Sequence, residues 1–226
     1  MKHLVSIPAA ALLAASIAGA ASIPVLNFSF ETPAQVDGGF TSGSIPNWTG
    51  ASSGGVFNPT TTQLSPPTDG VQVGYINANF GTPLTISQLL SAILTVDTTY
   101  TLQVDFLARK DCCLPWGGSE IDLVAGSTVL ASSTTASGAL AAGAIQTSTV
   151  TFTALSGDPH LGQTLEIRII DLGQVSTGQG QIDFDNVRLD ASGAVSTAPE
   201  PGSLALTVSV AALGVLFRRR AFRKSL

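Results

Sequence analysis

Period two dominates the middle of this chain. Tyr100, Leu102, Val104, Phe106 and Ala108 alternate with Thr101, Gln103, Asp105 and Leu107, a strand with one buried face and one mostly wet face. Similar runs occur at residues 71–76, 120–125, 128–131, 147–154, 164–172 and 181–189. In the last run Ile182 and Phe184 share one phase and Val187 and Leu189 the other, which predicts a bulge near Asp185-Asn186. Residues 85–93 fit a helical turn through Ile86, Leu89, Leu90 and Ile93, and a buried strand over 84–90 fits equally. Thr68-Asp69-Gly70, Ala125-Gly126-Ser127 and Ser156-Gly157-Asp158-Pro159 supply the turns. Short strands, glycine-rich turns and no alternation of strand with helix predict an all-β fold, an antiparallel β-sandwich.

The two ends follow different patterns. Lys2 and His3 precede an apolar stretch from Leu4 to about Ala18, and Ala18-Gly19-Ala20 offers small residues for cleavage. Residues 1–20 therefore read as a secretory signal peptide. At the other end Pro199-Glu200-Pro201 is followed by an apolar run from Leu204 to Phe217 and then by Arg218, Arg219, Arg220, Arg223 and Lys224. That order resembles the PEP-CTERM sorting signal of exported bacterial proteins. The resemblance implies processing by the membrane enzyme exosortase, a hydrophobic transmembrane helix over about 203–217, and delivery to the cell envelope or extracellular matrix. Between the ends lie one domain, 21–190, and a flexible linker, 191–198.

Charge narrows the partners. Between Glu31 and Asp190 fourteen acidic residues face only Arg109, Lys110, Arg168 and Arg188. Ten net negative charges argue against nucleic acid and anionic lipid, and suit divalent cations or neutral glycans.

Three segments of the body, Asn27–Glu31 with Ile45-Pro46-Asn47-Trp48, Tyr100–Asp105 and Phe184–Leu189, are together similar to galactose-binding-like jelly rolls, the fold of many carbohydrate-binding modules. In those modules the first and last strands lie side by side and share a structural calcium. The resemblance places its ligands at Glu31 and Asp185, with Asp183 or a backbone carbonyl beside them. Calcium takes six to eight hard oxygens, which such carboxylates provide.

The remaining chemistry is sparse. Cys112 and Cys113 are the only cysteines, and an exported chain meets an oxidising compartment. A vicinal disulfide is the expectation, with pairing to another chain as the alternative. Trp116 lies in the same loop and could stack on a sugar ring, with Asp111 or Glu120 accepting hydroxyl hydrogens, or it could fold back into the core. No Gly-x-Ser-x-Gly elbow, metal-binding histidine pair or nucleotide fingerprint occurs, and His160 is the only histidine of the body. These features predict a non-catalytic exported protein that binds glycan or exopolysaccharide. A structural matrix protein is the alternative, and a polysaccharide hydrolase ranks last.

Overall fold

The computed structural model describes residues 20–50, 52–175 and 180–193. Their strands are β1 (Ala21–Ile23), β2 (Thr49–Gly50), β3 (Gly54–Phe57), β4 (Val73–Ala78), β5 (Leu84–Ile93), β6 (Thr98–Leu107), β7 (Ser119–Ala125), β8 (Thr128–Thr135), β9 (Ile145–Ala154), β10 (Thr164–Asp171) and β11 (Gly180–Gly193). They form two antiparallel sheets, one ordered β3-β4-β11-β6-β9 with β1 also on β11, the other β2-β5-β10-β7-β8. No helix occurs among the described residues, so 84–93 is a strand. The signal peptide through Gly19, Pro199, Glu200, Pro201 and the segment 203–217 lie outside the described residues, as does the linker beyond Gly193.

The core fills the space between the sheets. Val56, Ile76, Leu102, Val104, Phe106, Ile182 and Phe184 from the first sheet meet Ile86, Ile121, Leu123, Ile167 and Ile169 from the second. On β11 the pairing with β6 slips between Asp185 and Arg188, and Asn186 adopts a positive φ of 52°. This bulge carries Val187 and Leu189 back onto the core face after Ile182 and Phe184. Gly74 faces that core, and a β-carbon there would collide with the Phe184 ring and lie 2.8 Å from Phe30. Gly74→Ala should cost about 1–3 kcal/mol by overpacking, read as a lower urea midpoint at unchanged slope.

The jelly-roll resemblance makes Asn27–Glu31 the first strand, and the structure does not. Residues 26–29 form a turn, Phe30 and Glu31 are irregular, and β1 precedes them. Asn27 and Phe30 both have positive φ, the Phe30 amide donates to Asn27 O, and the Asn27 side chain pairs with the Thr32 backbone. Asparagine tolerates the left-handed region and holds such turns, which overrides the β propensity of its phenylalanine neighbours. The last strand also runs on to Gly193, paired with β6, beyond the expected edge at Asp190.

The first sheet is covered on its outer face as well. Phe57, Leu64, Val73, Tyr75 and Leu107 form a second apolar cluster there, under the segments 31–48 and 58–72. Lys110 donates to the carbonyls of Thr61 and Leu64, Tyr75 to that of Thr41, and Gln72 to that of Phe30. The face that alternation marks as wet is therefore partly enclosed.

Candidate active site

The enclosed face holds a cavity of about 330 Å³. Its walls include Phe40, Phe57, Tyr75, Asn77, Arg109 and Gln181. Strand alternation sets this up: Tyr75 and Asn77 on β4, and Gln181 and Asp183 on β11, all point outward because Ile76 and Ile182 point inward. Gln181 stands opposite Asn77, and Asp183 opposite Tyr75.

Asp183 is fully buried. Gln181 Nε2 donates to its Oδ1 at 2.6 Å, while Oδ2 has no partner. Burial pushes its carboxyl up to about 7, against the opposing pull of Arg109 and the Gln181 hydrogen bond. A carboxyl so placed is protonated in a large fraction near neutral pH and can donate that proton. Burial, with Asp183 adding to it, also raises the Tyr75 phenol.

Arg109 closes one side. Its guanidinium lies 4.5 Å from the Phe57 ring centroid and makes a two-pronged ion pair with Asp111 at 2.9 Å per contact. Hydrogen bonding and charge from Arg109 hold Asp111 below the usual carboxylate range. Cys112 and Cys113 are bonded to each other on the same loop. The Cys113 sulfur lies 3.8 Å from Gln181 Oε1, a packing contact because neither atom carries a hydrogen.

The structure does not gather Asp111, Trp116 and Glu120. Asp111 sits at the cavity through Arg109. Trp116 is 1% exposed and packs edge-on against Phe106 in the core, its ring centroid 5.7 Å away. Glu120 belongs to the other sheet, where it accepts from Thr134 at 2.8 Å. Trp48 is core too, against Phe30.

The trio Glu31, Asp183 and Asp185 also divides. Glu31 Oε1 accepts the amides of Val71 and Gln72, each at 2.8 Å. Asp185 Oδ2 accepts the Asp69 amide at 2.8 Å and the Thr68 hydroxyl at 3.2 Å. The two carboxylates thus clasp one loop, and Gly70 at its tip has a φ of 70° and no room for a β-carbon beside Glu31. Asp183 instead accepts from Gln181, a residue of the cavity wall. Among the described residues no group of three acidic, histidine or cysteine side chains is arranged to hold a metal.

These carboxyls set a pH dependence. Burial pushes Asp183 and Asp185 up to about 7 and Asp122 and Asp171 up to about 6. An acid with a raised folded-state pKa binds protons more tightly folded than unfolded, so its contribution is complete below the unfolded value and lost as pH rises through the folded one. Asp105 behaves oppositely. Burial alone would raise it, but the hydrogen bonds from Thr147 and Arg188, with the Arg188 charge, outweigh that and lower it, so its contribution disappears in acid. In metal-free buffer the thermal midpoint should therefore fall steadily from about pH 5 to pH 8. A midpoint flat or rising over that interval contradicts the burial of these four groups.

Residues 21–190 match the family HpiC1-like, HpiC1 cyclase. The chain belongs to the HpiC1-like cyclase family. The Stig cyclase Fisc from Fischerella sp. TAU, solved in complex with (3Z)-3-(1-methyl-2-pyrrolidinylidene)-3H-indole, is 30% identical over 78% of this chain and all of its own, with a TM-score of 0.69. A cyclase from Fischerella sp. TAU in complex with 4-(1H-indol-3-yl)butan-2-one is 31% identical over 77% of this chain and 98% of its own, with a TM-score of 0.67. The MgGH51 α-L-arabinofuranosidase, 16% identical at a TM-score of 0.52 over 78% of this chain and 27% of its own, shares the fold alone. No curated protein matches the chain.

Membership overturns the expectation of a non-catalytic, glycan-binding or matrix-building protein, because the family and its solved members are cyclases. The jelly-roll body stands. It is the scaffold of a family of cyclases.

Proposed function

We propose that this HpiC1-like chain is a cyclase that closes a ring on an indole-bearing substrate, with Asp183 as the general acid. The observation that carries this reading is a fully buried carboxyl with one unpartnered oxygen beside an aromatic-walled cavity. Indole ligands in the solved relatives support the choice of substrate class. A 3H-indole has a ring nitrogen without hydrogen, an acceptor suited to a protonated carboxyl.

The chemistry balances without a redox partner. Asp183 Oδ2–H gives its proton to the substrate, a π bond of the side chain attacks the cationic centre, and one carbon–carbon bond replaces that π bond. A proton then returns to the carboxylate, so product and substrate have the same mass. Phe40 and Tyr75 bring aromatic rings to the cavity beside the transient cation. Because the protonated acid is the active form, kcat should fall as pH rises through about 7. A rate that climbs over the same interval would overturn the role of Asp183.

Calcium beside the Thr68–Gln72 loop is part of the proposal. Glu31 and Asp185 fit it as two hard-oxygen ligands flanking that loop, and Asp185 is a buried carboxylate whose hydrogen-bond partners are all neutral. Asp183 does not fit. Calcium should raise the thermal midpoint at pH 8 relative to a chelator, and equal midpoints would remove the metal.

Export completes the reading: a signal peptide over 1–20, exosortase processing at Pro199, Glu200 and Pro201, anchoring in the inner membrane before processing, and delivery to the envelope or matrix. Deleting Pro199–Pro201 should leave unprocessed protein in the membrane fraction. Unchanged processing removes the sorting signal.

A further inference from the structure

The cavity wall carries a cation that ring closure does not use. Between residues 20 and 193 the only basic side chains are Arg109, Lys110, Arg168 and Arg188. Arg168 and Arg188 are paired with Glu166 and Asp105 on their strands. Arg109 and Lys110 instead stand together beside the cavity, in a domain that is otherwise strongly acidic. Arg109 is a wall residue, and the Lys110 amide donates to the carbonyl of Gln63, another wall residue.

The guanidinium of Arg109 is only half spent. Nε and Nη2 each donate to one oxygen of Asp111 at 2.9 Å, which occupies one edge of the group. Nη1, on the other edge, makes no hydrogen bond among the described residues. It is not one of the buried side-chain atoms left without a partner, so it is open to solvent. The Phe57 ring, also in the wall, lies against the guanidinium, and the arginine side chain as a whole is 11% exposed. Held by Asp111 and Phe57, the group has little rotamer freedom left to lose when a ligand arrives.

Two neighbours reinforce it. Gln63 Oε1 accepts from the amide and the hydroxyl of Thr60, each at 3.0 Å, which fixes the side-chain amide. Its Nε2 has no partner among the described residues and remains a second donor of the wall. Lys110 Nζ donates to the carbonyls of Thr61 and Leu64, and its charge meets no acid within ion-pair distance among the described residues.

Building on the cyclase reading, we propose that the substrate carries a carboxylate, bound by the open edge of Arg109 with Gln63 donating beside it. The planar edge of a guanidinium matches the two oxygens of a carboxylate, and such charge-assisted bonds are about twice as strong as neutral ones. An ester at the same place offers a weaker acceptor. An ammonium there meets like charge from Arg109 and Lys110.

Calorimetric titration of the purified protein with indole-3-propionate, its methyl ester, 3-(3-aminopropyl)indole and 3-phenylpropionate tests this. Indole-3-propionate should bind about 10- to 100-fold more tightly than its ester, and the amine should bind most weakly. In Arg109→Met, which keeps an apolar stem on Phe57, the preference should shrink to about threefold or less while the ester binds as before. Arg109→Lys, which keeps the charge and loses the fork, should retain part of it. Melting curves confirm that both variants are folded. Equal binding of propionate and ester to the wild type, or a preference kept in Arg109→Met, would overturn the carboxylate site and leave the cyclase reading intact. Binding of 3-phenylpropionate through Arg109 without binding of any indole would uphold the carboxylate site and remove the indole substrate. Failure of all four to bind would overturn both.

Discussion

Asp183→Asn should lower kcat by about 10²–10⁴ and at the same time make the protein more stable above pH 7. The first effect follows from removing the acidic proton of the buried carboxyl beside the aromatic cavity. The second follows from where that proton is held. Asp183 is fully buried and its pKa is pushed up to about 7, so at pH 8 folding must bury a charge that the unfolded chain leaves in water. Asparagine has nearly the same shape and carries no charge, and its side-chain oxygen can still accept from Gln181. The gain is of order 2 kcal/mol at pH 8 and vanishes at pH 4, where the native acid is protonated in the fold. In a domain of this size that is about 4–8 °C in Tm. A residue kept at a cost in stability and needed for turnover is what a catalytic site demands. Thermal scans at pH 4 and pH 8 check the stability half, and equal shifts at both values would mean that burial of the charge is not the cause.

Trp116→Ala should be the most destabilising of the substitutions considered, by about 3–5 kcal/mol, or roughly 6–20 °C in Tm. Trp116 is among the largest fully buried side chains, wedged against Phe106 where the β6–β7 loop closes the end of the sandwich. Its neighbours are strands and cannot collapse into the space. The indole Nε1 has no partner, so Trp116→Phe gives up no hydrogen bond and should cost far less than the alanine variant. Neither change should alter indole affinity at temperatures where the variant is folded. A large loss of affinity with an unchanged melting curve would instead make Trp116 a ligand contact.

Trp116 illustrates how unevenly the sequence reports on the molecule. Alternation in residues 100–108 and the phase switch after Phe184 located the central strands and the bulge, because both follow from which side chains the core excludes from water. The strand 84–93 was ambiguous for a simple reason: its apolar residues suit either period. The turn at Asn27 was hidden because a left-handed asparagine leaves no mark on hydrophobic periodicity.

The site was harder still. Tyr75, Asn77, Gln181 and Asp183 occupy the phase that alternation assigns to solvent, and only the covering segments 31–48 and 58–72 enclose them. Phe40, Phe57 and Arg109 join them from other parts of the chain, with no fixed spacing. A single acid needs no partner at a set interval, in contrast to a nucleophile–base pair or a metal cluster. The one local signal was Gln181 two residues before Asp183 on a strand whose other face is wholly apolar.

The central claim is that this cavity performs cyclisation. Wild-type protein and Asp183→Asn should be incubated side by side with a panel of 3H-indoles carrying an alkenyl chain at C3, and the mixtures separated by liquid chromatography with mass detection. The account predicts a product of unchanged mass and new retention time from the wild type, and essentially none from the variant. Equal product from both proteins, or a product whose mass differs from its substrate, would contradict it.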